Sequence, residues 1–181
     1  MVAPLADAES GQTVPNCGKI GFMPRQFRKH IRLESYDYSS NGFYFITICC
    51  DYFKPLFGKI EHEVMKLNAL GEVAQAQWLG LESRYPQIKC HAHQIMPNHM
   101  HGILELHNSV KSELQLSQVI GAYKSLTHKY GRAFFLEKKL AKLWQPNFYE
   151  HVIRNDKAFQ AITEYIETNP AQWDKDKYFI E

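Results

Sequence analysis

Residues 99–106, His-Met-His-Gly-Ile-Leu-Glu-Leu, leave the chain little freedom in how it folds. Met100, Gly102, Leu104 and Leu106 occupy alternate positions, and His99, His101, Ile103 and Glu105 occupy the others, which is the two-residue period of a strand. Pro97-Asn98 supplies turn chemistry just before it. One face of such a strand is committed to the core. The two imidazoles, at i and i+2, then project side by side from the other face. That arrangement suits a divalent ion whose remaining positions are left to water, a phosphate or a third side chain. Spacing alone does not select this pair, because His91-Ala92-His93 has the same spacing on what reads as the preceding strand, Lys89 to Ile95.

The neighbouring segments alternate between strand and helix. Phe43 to Cys50 is β-branched and aromatic throughout and reads as a strand buried on both faces, started by the turn Ser40-Asn41-Gly42. A short extended piece is expected over residues 59–64. Leu70, Val73, Ala74, Trp78 and Leu81 recur at helical spacing, predicting a helix from Leu67 to Arg84 that Tyr85-Pro86 ends. A second helix is expected from Ser112 to Phe135, with Leu116, Val119, Ile120, Tyr123, Leu126 and Tyr130 as its stripe and Gly121 as its weak point. Leu143 to Ile153 is extended and aromatic. A final helix begins with Asn155 as N-cap and stops at Pro170. This order predicts an α+β fold, a ferredoxin-like βαββαβ antiparallel sheet with an extra C-terminal helix. Residues 1–22 mix Gly, Pro, Ser and Ala without periodicity and read as a flexible arm, leaving 23–181 as one domain.

Composition narrows the setting. The 181 residues carry a net charge of +2, so total charge does not argue for nucleic acid, although its distribution does. Arg25, Arg28, Lys29 and Arg32 form one basic segment. Lys124, Lys129 and Arg132 form another beside Tyr123, Tyr130 and Phe134, a pairing of cations and rings that suits single-stranded nucleic acid. Four cysteines without CxxC spacing fit a reduced cytosol, and the longest apolar run is too short to span a bilayer. With no secretory pattern at the N-terminus, a cytoplasmic protein is expected.

On the last helix Phe159, Ile162 and Ile166 form the core-facing stripe. Tyr165 lies on its shoulder, with Asn169 at i+4 on the same shoulder. A tyrosine so placed is ordinarily structural, but an Asn one turn further on adds an oxygen that could reach a hard metal.

Met96-Pro97-Asn98-His99-Met100-His101-Gly102 resembles the HUH motif (His, bulky hydrophobe, His) of the single-tyrosine transposases. Residues 144–155, WQPNFYEHVIRN, followed by Tyr165-Ile166-Glu167-Thr168-Asn169-Pro170, resemble the second block of one branch, the REP-associated tyrosine transposases, with an IS200-like domain. The resemblance spans roughly residues 25 to 175. It implies that His99 and His101 hold Mg²⁺ or Mn²⁺, that Tyr165 is the nucleophile, and that Asn169 stands where insertion-sequence relatives carry a Gln as third ligand. It further implies that single-stranded DNA near small hairpins is cut and rejoined through a covalent 5′-phosphotyrosine, with the basic residues above and Arg154 holding the strand. Insertion-sequence relatives are dimers, whereas the REP-associated branch resembles a self-contained monomer, the state favoured here over a homodimer. Two alternatives stay open: a metal-dependent phosphodiester hydrolase on the same fold, and a domesticated, non-catalytic hairpin-binding protein.

Overall fold

The computed structural model describes residues 37–109 and 114–180. The arm expected over residues 1–22, the basic segment Arg25 to Arg32 and the start of the helix expected at Ser112 lie outside the described residues. The elements are β1 (Gly42–Cys49), β2 (Gly58–Glu61), β3 (Val64–Leu67), α1 (Ala69–Leu79), α2 (Leu81–Arg84), β4 (Ile88–Ile95), β5 (His99–Leu106), α3 (Leu116–Tyr130), α4 (Arg132–Lys138), β6 (Tyr149–Ile153) and α5 (Asp156–Thr168), followed by a 3₁₀ segment, Asn169–Lys175.

The four long strands form one antiparallel sheet in the order β4-β5-β1-β6. Taken with α1 and α3 as the crossover helices, this is the ferredoxin-like arrangement that the order of elements predicted. β5 and β1 are the inner strands. Their register sets Thr47 opposite His101 and Cys49 opposite His99.

Alternation divides the sheet into two faces, as expected. Tyr44, Ile46 and Ile48 of β1 and Met100, Leu104 and Leu106 of β5 join Leu70, Ala74 and Trp78 of α1 and Val119, Ile120 and Tyr123 of α3 in the main core. Trp78 and Tyr123 meet edge to face with centroids 5.4 Å apart. On the opposite face Ile103, Ile153 and Ile166 make a second, smaller cluster with Phe43, Phe45, Phe159 and Ile162. The stripe of α5 therefore docks on the face that carries the histidines.

Gly102 is what lets the indole of Trp78 pack closely against β5: a Cβ there would press into ring atom Cζ2 of Trp78. Gly102→Ala is expected to overpack this contact and cost about 1–3 kcal/mol. That should be seen as a melting temperature lowered by roughly 2–12 °C in thermal denaturation.

Several boundaries differ from expectation. Residues 58–67 form a complete hairpin, β2–β3, whose turn residues His62 and Glu63 both have positive φ (50° and 64°). Such a turn ordinarily advertises itself with Asn-Gly, and this one does not. The first long helix is interrupted at Gly80. The second breaks at Gly131, not at Gly121. Gly121 faces open space, whereas Gly131 approaches Leu70 and the Thr127 carbonyl too closely for a Cβ. Only Tyr149–Ile153 of the last extended stretch is strand. Pro146 has no N–H to donate to a ladder. Ahead of it Trp144 forms an isolated bridge with Cys50 and packs on Phe57 and Tyr123.

Candidate metal and tyrosine site

His99 and His101 leave β5 on the α5 side and are buried. Each ring is held by its Nδ1. Asn98, in the turn, gives its amide N–H to the Tyr178 carbonyl at 2.7 Å, which turns its Oδ1 toward His99 Nδ1 at 2.8 Å. An acceptor at that position keeps the His99 proton on Nδ1, so Nε2 presents a lone pair. Thr47 Oγ1, across the β1–β5 ladder, lies 2.8 Å from His101 Nδ1. The two Nε2 atoms face one another at 3.0 Å. Two ligands at right angles on an octahedral ion with bonds of about 2.1 Å stand about that far apart. Burial pushes the His99 imidazole down to about 3, and burial followed by the neighbouring His99 holds His101 well below the usual range. Both rings are therefore neutral donors near neutrality.

α5 delivers Tyr165 to this pair. Its amphipathic stripe fixes the rotation of the helix, and Asn155, accepting from the Ala158 N–H at 2.9 Å, fixes its start. The Tyr165 hydroxyl lies 3.2 Å from His101 Nε2, its ring edge-on to Phe45. Unlike the histidines, Tyr165 is 39% exposed.

Asn169 follows one turn further on and is buried; its amide Nδ2 donates to Asp176 Oδ2 at 2.9 Å, and among the described residues its Oδ1 has no hydrogen-bond partner. Asp176 is the residue that the sequence did not point to. One of its oxygens and the ring nitrogens of His99 and His101 lie within 4.8 Å of one another, a grouping able to hold a metal ion. No motif marks Asp176. It reaches the histidines because the 3₁₀ segment after α5 turns the chain back over them, and Tyr178 packs on His99 with centroids 4.7 Å apart. Asn98 and Thr47 were also missed as site residues. Asn98 could have been found from its place beside His99, while Thr47 depends on a register between strands distant in sequence. Cys49, opposite His99, is a thiol that burial pushes up to about 12.

His91 and His93 belong elsewhere. His91 pairs with Glu105 at 2.8 Å and packs among Phe43 and Phe159, and His93 Nδ1 lies 3.4 Å from the His91 carbonyl. A bulge between Cys90 and His93 sets them out of step with β5.

The expected strand-holding cations separate. Lys124 is corrected: its ammonium donates to the carbonyls of Gln145, Pro146 and Asn147 at 2.7, 3.1 and 3.1 Å. Those bonds use all three of its protons, so it anchors the segment before β6 and has none left for a phosphate. Lys124→Met is expected to destabilise the fold by about 2–3 kcal/mol, measured by urea denaturation. Lys129 and Arg132 are exposed around the α3–α4 junction, where they line a hollow with His128 and Phe135. Arg154 is exposed at the entrance to α5, on the histidine side.

The family described as "Transposase IS200 like" matches residues 71–169, a span that takes in both histidines, Tyr165 and Asn169. The chain belongs to the IS200-like transposase family. A Haemophilus influenzae relative, itself uncharacterised, is 37% identical over 172 residues, covering 85% of this chain and 94% of the relative. Among solved structures, a REP-associated tyrosine transposase bound to a REP hairpin superimposes with a TM-score of 0.58 at 22% identity, over 81% of this chain and 76% of that one. This IS200-like transposase thus shares its fold with that protein. Among the described residues, no helix is long and apolar enough to cross a membrane.

Proposed function

We propose that this IS200-like transposase cleaves and rejoins single-stranded DNA beside small hairpins, in the manner of the REP-associated branch, with Tyr165 as nucleophile. The observation that carries the reading is the Tyr165 hydroxyl 3.2 Å from a ring nitrogen of a histidine pair whose own nitrogens are 3.0 Å apart. A phosphodiester resists attack because its charge repels nucleophiles and more charge gathers in the transition state. The pair fits a divalent ion: two neutral, oriented nitrogen donors converge on one point, with an oxygen-bearing cluster beside them. Mg²⁺ or Mn²⁺ held there would polarise the phosphoryl oxygens and offset that charge.

The chain's own residues do the rest. Asn98 and Thr47 fix the histidine rings, and Phe45 and His101 fix the plane of the Tyr165 ring. The phenol has an ordinary pKa of about 10, so it must lose its proton as it attacks. A bond forms between Tyr165 Oη and phosphorus, the bond to the 3′ oxygen breaks, and that oxygen leaves as a free 3′-hydroxyl. The 5′-phosphotyrosine keeps the bond energy, so a 3′-hydroxyl can reverse the step and rejoin strands without ATP. Because Tyr165 reaches the histidines of its own chain, a monomer suffices. Lys129, Arg132 and Arg154, with Arg25, Arg28, Lys29 and Arg32 earlier in the chain, are the phosphate contacts we assign to the strand.

Incubation of the full chain with single-stranded hairpin DNA and Mn²⁺, followed by a denaturing gel, tests the reading. A protein–DNA adduct that survives denaturation is expected, and cleavage with no adduct at any time would point to water as the nucleophile.

A further inference from the structure

We infer that Asp176, brought from the segment after α5, is the third protein ligand of the ion, and that the amide nitrogen of Asn169 aims its carboxylate. The inference deepens the proposed function and rests on its assignment of an ion to His99 and His101. Three observations carry it.

First, an oxygen of Asp176 and one nitrogen of each histidine lie within 4.8 Å of one another, close enough for one ion to take all three. Second, two neutral imidazoles bring no charge to a buried dication. Hard ions such as Mg²⁺ and Mn²⁺ favour carboxylate oxygen, so the pair alone is a poor site for them. One carboxylate offsets half of the ion's charge. Third, the hydrogen bonds around Asp176 orient it without exhausting it. Oδ1 accepts from the Tyr178 N–H at 2.6 Å, and Oδ2 accepts from Asn169 Nδ2 at 2.9 Å and, at longer range, from the Tyr165 hydroxyl at 3.5 Å. A carboxylate has about four lone-pair directions, so one remains.

The same contacts decide the role of Asn169. Its amide nitrogen must point at Asp176, since the reverse rotamer would set oxygen against carboxylate oxygen. The buried Asn169 has its Nδ2 spent on Asp176, and its Oδ1 accepts no hydrogen bond from the described residues. The residue one turn beyond the nucleophile thus holds the aspartate through its nitrogen and keeps a buried oxygen that is itself available as a donor. It also ties the loop bearing Asp176 to the helix bearing Tyr165, so the nucleophile and the third ligand move together.

Mn²⁺ titration of the full chain without DNA, read by electron paramagnetic resonance of the free ion, tests this independently of catalysis. Each variant's melting temperature is recorded without metal. Asp176→Asn, which keeps shape and loses charge, is expected to weaken Mn²⁺ about 100-fold, and Asn169→Ala about 10-fold. Asp176→Glu should recover part of the affinity, and Asp174→Asn, nearby and exposed, should bind as wild type. Asp176→Asn within twofold of wild type, alongside a His99→Ala variant that has lost Mn²⁺, overturns the inference and leaves the histidine site standing. Wild-type affinity in His99→Ala as well removes the ion from β5, and both readings fall together. Should Asp176→Asn not fold, Asn169→Ala decides: undiminished affinity there overturns the coupling to Asp176.

Discussion

Tyr165→Phe is expected to abolish both the DNA adduct and strand cleavage while leaving the fold and hairpin affinity as they were. The substitution removes one oxygen. The ring keeps its edge-on contact with Phe45 and its place 5.2 Å from the His101 ring. The hydroxyl's bonds to His101 and Asp176 lie at 3.2 and 3.5 Å at an exposed position, so their loss should cost at most about 1 kcal/mol. Covalent chemistry has no substitute for that oxygen, so activity should fall to the detection limit of the gel. Melting temperature and filter binding of the hairpin, measured on the same preparation, separate this from unfolding. Continued cutting by the Phe variant would make the protein a hydrolase on a transposase fold.

The second large effect is expected at His101. It links the site together: Thr47 through Nδ1, His99 and Tyr165 through Nε2, and Phe45 through its face, with centroids 5.3 Å apart. His101→Ala should lower Mn²⁺-dependent cleavage by roughly 10²–10⁴-fold, the equivalent of several kcal/mol of charge stabilisation. Thr47→Val, which removes only the hydroxyl that orients His101, should weaken Mn²⁺ about 10-fold. His91→Ala is the control, since His91 lies within the β4 bulge and is occupied with Glu105. A loss of equal size in His91→Ala would place the ion on the wrong strand. Cleavage rates at fixed Mn²⁺, with melting temperatures recorded, distinguish these outcomes.

Much of this was legible before the fold was known, for local reasons. Alternation in 99–106 settles which side chains of β5 share a face, because the pleat has a period of two wherever the strand sits. The stripe Phe159, Ile162, Ile166 settles how α5 must roll, which puts Tyr165 at the edge of its buried face. The capping Asn155 and the Pro after Thr168 mark the ends of α5 to within a residue or two. The hairpin 58–67 was only half legible, since its turn uses His62 and Glu63 in a conformation that sequence rules reserve for Asn and Gly. Lys124 was misread for a related reason. A lysine among other basic residues looks like surface, and only the packing of the segment before β6 shows three carbonyls waiting for it.

What the sequence determined by itself is therefore the strand that carries the histidines, the helix that carries the tyrosine, and the face that each presents. The tertiary structure alone decided their meeting: the β1–β5 register that sets Thr47 behind His101, the docking of α5 across the sheet, and the turn of 169–175 that brings Asp176 over the pair. Secondary structure follows from interactions a few residues apart and so leaves a periodic trace. A carboxylate facing an imidazole some 75 residues away leaves none, because nothing in the chain between them encodes the distance at which they will pack.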